Sequence, residues 1–132
     1  MNVHRHYGVM ELKTLPEEEL RWLAEYVGVE GSPDTMGRRE FLYAIMEAQA
    51  RYEGGVFQVG RLKIDPFGHG VVDTGSSERP AIVGRFLVKR HGLASGDLVA
   101  GLVRKSEEPG RPPVLLRVEA VNGKDPDPAK RN

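Results

Sequence analysis

Two ring side chains stand two residues apart in Leu62–Val72, L-K-I-D-P-F-G-H-G-V-V. Phe67 and His69 flank Gly68 at a turn opened by Asp65 and Pro66, between two short β-patterned runs. Rings at the bend of a strand–turn–strand unit are how small β-barrels offer stacking surfaces to single-stranded nucleic acid. Other chemistry is thinner. His69 and Asp73 have strand-pair spacing, but no nucleophile accompanies them, and no catalytic dyad is expected. Gly123-Lys124 resembles the end of a phosphate loop. However, Val118 stands where the first glycine belongs, and Asp125 where Ser or Thr is needed. Ser76-Ser77 after Gly75 reads as a turn rather than a nucleophile. His4 and His6, on a terminus expected to fray, make a poor metal site, and neither metal nor cofactor is expected.

The elements that must position these residues divide the chain in two. Residues 1–55 hold 6 Lys/Arg against 10 Asp/Glu, a net −4, and residues 56–132 hold 13 against 9, a net +4. The zero overall charge hides this asymmetry. In the acidic part, Thr14 is the expected N-cap of a helix with Pro16 and three glutamates in its first turn. Leu20, Leu23, Ala24 and Val27 then recur at helical spacing up to Gly28. Trp22 is expected to pack between helices. A second helix is predicted over 37–51, with Phe41, Ile45 and Ala48 as its apolar stripe and Arg38 and Arg39 at its start. Gly54-Gly55 marks the change to β patterning. Apolar runs at 57–64, 70–72, 81–83, 98–103 and 114–121 predict five short strands, with a helical turn at 85–90. The polar tail 122–132 is expected to be mobile.

With no cysteine, disulfides, thiolate metal sites and cysteine nucleophiles are excluded. No apolar run approaches the roughly 18–20 residues that span a bilayer, and M-N-V-H-R-H-Y-G-V-M-E-L-K has no apolar h-region. The expectation is a cytoplasmic protein without a signal peptide. The fold expected is α+β: a small helical subdomain (10–54) packed on a five-stranded OB-fold, cold-shock-like barrel (56–121), followed by a flexible tail or linker (122–132).

From Met10 onward the chain resembles the N-terminal RNA-binding region of the bacterial transcription termination factor Rho. M-E-L-K-T-L-P-E-E-E-L looks like that family's opening helix, and M-G-R-R-E-F-L-Y-A-I-M-E like its second helix. G-R-L-K-I-D-P-F-G-H-G-V-V looks like the first two barrel strands. V-K-R-H-G-L-A-S-G-D-L-V-A-G-L-V-R and L-L-R-V-E-A-V-N-G-K-D-P look like the later turn and strands. The resemblance implies a barrel cleft for pyrimidine-rich, preferably cytosine-rich, single-stranded RNA in a nascent transcript. It also implies no enzymatic activity from this chain, because the family's ATPase motor has no counterpart in it.

Carried over residue by residue, the family's two stacking rings fall on His69 and Val71. Its arginine falls on Asp73, its tyrosine on Ile82, and its Glu-x-Tyr pair near Gly110 and Pro112 with Arg111 between them. Phe67 is a substitute ring if the loop register shifts. Lys89, Arg90 and Arg111 complete the expected RNA-binding set, while Arg61, Lys63, Arg85, Arg104, Lys105 and Arg117 are scattered through the same half. The alternative reading is a stand-alone Rho-like module whose altered cleft acts through contacts with Rho itself, RNA polymerase or other transcription machinery. The isolated chain is expected to be a monomer.

Overall fold

The computed structural model describes residues 5–75 and 79–130. His4, Ser76 and Ser77, which carried expectations above, lie outside them. The chain divides into two compact units on either side of Gly54/Gly55.

The first unit is helical: α1 (Val9–Thr14), α2 (Glu17–Val27) and α3 (Arg38–Tyr52). Pro16 disfavours helical backbone at the residue before it, and Leu15 is accordingly extended, separating α1 from α2. Thr14 is therefore not the N-cap of α2. It closes α1, its hydroxyl donating to the Glu11 carbonyl at 2.8 Å, and Pro16 occupies the cap position. Gly28 stops α2 as expected, with Gly28 N–H donating to Glu25 C=O and Val29 N–H to Ala24 C=O. Leu12, Leu20, Leu23, Phe41, Ile45 and Met46 form the core. Trp22 is not part of it: the ring is 66% exposed.

The N-terminal residues are held rather than frayed from Tyr7 onward. Tyr7 and Val9 are buried. The Gln49 amide donates to the Tyr7 carbonyl (2.8 Å) and accepts from its N–H (3.0 Å). His6 Nδ1 lies 2.7 Å from a Glu53 carboxylate oxygen. Arg21 donates to Asp34 and Glu17. These bonds, that to Asp34 foremost, push its guanidinium further above its ordinary range. Among the described residues no helix is long and apolar enough to cross a membrane.

The second unit is a closed five-stranded barrel in the order β1-β2-β3-β5-β4. Its strands are β1 (Val56–Ile64), β2 (Gly70–Asp73), β3 (Ala81–Val83), β4 (Leu98–Arg104) and β5 (Val114–Val121), with α4 (Arg85–Arg90) between β3 and β4. All five strands and α4 fall where apolar patterning placed them. β1 serves two neighbours, pairing with β4 from Val56 to Arg61 and with β2 from Arg61 to Ile64. β3 and β5 run parallel and meet at one register pair, Ile82↔Val114. Leu62, Val72, Ala81, Val83, Val99, Val103, Leu115 and Val118 fill the interior, and Leu87 and Val88 of α4 pack against them. The closest approach is at Gly101, where a Cβ would lie 2.1 Å from the Arg117 carbonyl oxygen.

Asn122, Lys124 and Pro126 are hydrogen-bonded to residues of the barrel unit. The Asn122 side chain accepts from Leu98 N–H (2.8 Å) and donates to Asp97 (3.0 Å). His91 Nδ1 donates to the Pro126 carbonyl at 3.0 Å.

Candidate nucleic-acid interface

The β1–β2 hairpin is built by Asp65. One carboxylate oxygen accepts from the Phe67 N–H (2.8 Å) and the His69 N–H (3.0 Å). The Gly68 N–H closes the turn on the Asp65 carbonyl at 3.1 Å, and Asp65 N–H donates to the His69 carbonyl at 2.8 Å. Gly68 has φ +88°, a left-handed conformation that glycine adopts without a Cβ penalty. An added Cβ there would also press on Arg85 at 3.2 Å. The turn thus fixes where both rings project.

Side chains alternate along β2. Gly70 and Val72 point into the barrel, while Val71 and Asp73 face outward. Register places Lys63, Val71 and Ile82 side by side on the outer face, with Val114 next to Ile82 across the β3–β5 pair. Lys63, Ile64, Asp65, His69, Gly70, Val71 and Ile82 line an open groove of about 530 Å³. His69 Nδ1 lies 3.9 Å from an Asp65 carboxylate oxygen, beyond hydrogen-bond reach, and the side chain is exposed.

Of the expected RNA-binding residues, the structure brings His69, Val71 and Ile82 into one groove. Phe67 stands at the turn apex, 76% exposed, and does not line it. Asp73 lies two residues further along β2 and opposite Arg61. Its carboxylate accepts from the Gly75 N–H (2.9 Å), while Arg61 donates to the Gly96 carbonyl (3.0 Å). The position where the family resemblance implies arginine is thus occupied by a turn-forming aspartate. Lys89 and Arg90 are exposed on α4 and do not line the groove; the Arg90 guanidinium lies 6.0 Å from the Phe86 ring centroid.

Arg111 belongs to a second concavity, of about 240 Å³, with Arg79, Lys105, Ser106 and Pro113. Arg79 donates to the Gly110 carbonyl at 2.7 Å, and Arg111 Nε is 2.8 Å from a Glu108 carboxylate oxygen. Sequence reasoning left Lys63 and Lys105 among scattered cations and passed over Asp65 and Arg79 as site residues. The Asp65-Pro66 turn signal could have found Asp65. Arg79 reaches its place through β3–β5 pairing, which no local pattern announces.

Residues 59–127 match the family model described as "Rho termination factor, RNA-binding domain". The chain belongs to this family. It is 32% identical over 127 residues to transcription termination factor Rho of Bacillus subtilis, a match covering 93% of this chain and 30% of the relative. Rho of Escherichia coli K12 is 30% identical over 128 residues, with the same coverage. Rho of Thermotoga maritima is 25% identical over 120 residues, covering 87% of this chain and 28% of the relative. The chain therefore spans under a third of these relatives' length. The α+β architecture, helices followed by a closed five-stranded barrel, agrees with the family.

Proposed function

We propose that this chain is a non-catalytic binding module that engages single-stranded RNA across the outer face of β2 and β3, as part of Rho-dependent transcription termination. The barrel, 56–121, is the binding unit, and the cytoplasm is where the module works. The observation that carries this reading is the groove in which His69 stands beside the Val71–Ile82 floor with Lys63 at its side. In it, His69 stacks on a base and Lys63 attracts a phosphate, while Phe67, outside the groove, offers a second ring at the turn apex. Asp73 stands at the far end of the outward row. Arg111, Lys89 and Arg90 lie farther out and add to the field that draws in a polyanion.

Base–aromatic stacking contributes about 1–3 kcal/mol per base. A groove with one imidazole where the family has two rings accordingly binds less tightly and discriminates less between bases. Pyrimidine preference is expected to be shallow, and affinity to fall with salt as phosphate contacts are screened. Labelled oligo-C and oligo-A RNA titrated at two salt concentrations test this. Salt-sensitive binding with a modest oligo-C preference supports the reading; no binding at low salt refutes it.

A second reading is favoured by one feature. Val71, Ile82 and Val114 form an aliphatic row across three strands, and Val114 and Leu116 are each 42% exposed. A protein surface is the other natural cover for such a row. Full-length Rho or RNA polymerase retaining the chain in the absence of RNA would favour this reading.

A further inference from the structure

The concavity around Arg111 has a chemistry distinct from the groove. β3 and β5 are parallel, so the segments that precede them, 79–80 and 111–113, arrive side by side at the same end of the barrel. The Ile82 N–H donates to the Pro113 carbonyl at 2.8 Å and ties the two together. β4 is antiparallel to β5, with Arg104 opposite Val114, so Lys105 leaves its strand at that end too. Three separate stretches of chain therefore deliver Arg79, Lys105 and Arg111 to one concavity, with the Ser106 hydroxyl among them.

Both guanidiniums are oriented by the protein. Arg79 is aimed by its bond to the Gly110 carbonyl (2.7 Å) and Arg111 by Glu108 (2.8 Å). Glu108 is itself positioned through its N–H, which donates to Ser106 Oγ at 3.1 Å. A guanidinium has five N–H donors in a planar fork, and the bonds just named use one nitrogen of each. Arg79, Lys105 and Arg111 bring three cationic side chains to the concavity, and Glu108 brings a carboxylate beside Arg111. Paired forks beside an ammonium and a hydroxyl suit a tetrahedral oxyanion.

We propose that this concavity binds a backbone phosphate of the RNA strand whose base stacks on His69; the inference rests on the RNA reading above. Ile82 lines the groove and Arg79 lines the phosphate site, three residues apart on one extended segment, or roughly 10 Å. A dinucleotide covers that distance. Gly110 and Pro112 occupy the positions to which the family resemblance assigns base-contacting Glu and Tyr. This end of the strand is therefore gripped by its charge and not by its sequence.

The test uses the whole chain with labelled oligo-C RNA, measuring Kd by anisotropy over a range of KCl concentrations. The double variant Arg79→Gln/Lys105→Gln should lower the slope of log K against log salt by about 0.7 for each phosphate that is no longer neutralised. His69→Ala should weaken binding and leave the slope unchanged. Lys105→Glu, an exposed change that folding tolerates, should lower the slope in the same direction. RNA binding with an unchanged slope in both charge variants overturns the phosphate site and leaves the RNA reading standing. A second arm titrates inorganic phosphate and follows backbone amide shifts. Movement of Arg79, Lys105, Ser106 and Arg111 without any RNA binding would show a site for free phosphate and overturn the RNA-strand proposal. No movement together with no RNA binding overturns both.

Discussion

The interior and the outer face of the barrel are written by alternate residues of the same strands, and they have met different constraints. On β2, Gly70 and Val72 point inward while Val71 and Asp73 point out. Inward, space decides everything. A Cβ on Gly70 would lie 2.8 Å from Leu62 Cδ1, and one on Gly101 would overlap the Arg117 carbonyl. Outward on β2 the side chains are only half-buried, and space restricts the choice less. There His69, Val71 and Asp73 stand at the positions to which the family resemblance assigns two rings and an arginine, and the β1–β2 and β2–β3 pairings are intact. Close packing therefore constrains the interior, and the exterior is where binding chemistry can differ. The interior can persist while the exterior changes.

The sharpest way to break this comparison is inside. Gly101→Val should cost about 5 kcal/mol, at the upper end for core damage, because the obstacle is backbone and cannot rotate away. Urea unfolding showing a loss below 1 kcal/mol would mean that the barrel wall is far more pliable than its geometry implies. Next, Leu62→Ala should cost about 3 kcal/mol by the same measurement, while its outward neighbour Lys63→Ala stays within about 0.5 kcal/mol and weakens RNA binding. Equal effects at 62 and 63 would contradict the alternation. On the exterior, Val71→Phe with Asp73→Arg should add about 2 kcal/mol to oligo-C binding, roughly 30-fold by calorimetry, with stability little changed. An unaltered affinity would move the base site away from this face. Smallest is His69→Ala, expected to weaken binding about fivefold, or about 1 kcal/mol, with no change in the unfolding midpoint.

Most of the barrel was legible because Val, Leu and Ile runs broken by Gly, Pro and Asp carry a local signal for each strand. The barrel was expected, but not which side chains its closing contact brings together, because the β3–β5 contact is parallel, brief and distant in sequence. Arg79 was missed for that reason. α1 is too short for its Val9/Leu12 spacing to stand out, and Pro16 both hid and caused the break after it. Trp22 was misread by residue type. It lies about 200° around α2 from Leu20, opposite the buried stripe, and is exposed there. The mobile N-terminus expected from composition omitted Gln49, whose amide answers both backbone groups of Tyr7 across 42 residues of chain. At the site, the Asp65-Pro66-Phe67-Gly68 turn could be read residue by residue, and the resemblance grouped His69 with Ile82, whereas the Lys63–Val71–Ile82 register required the sheet.

The single Ile82↔Val114 pair is also a latch. It is the narrowest link in the ring of strands, joined mainly by one register pair and the Ile82–Pro113 hydrogen bond, whereas β4 and β5 share six register pairs. If this latch parts, the ring becomes a curled sheet with two free edges, and Ile82 separates from the 111–113 segment beside it. Anything that spans from the groove to Arg111 can bind only when the latch is shut. Such an occupant acts as a staple across the seam, and the free energy of its binding adds to the stability of the closed ring.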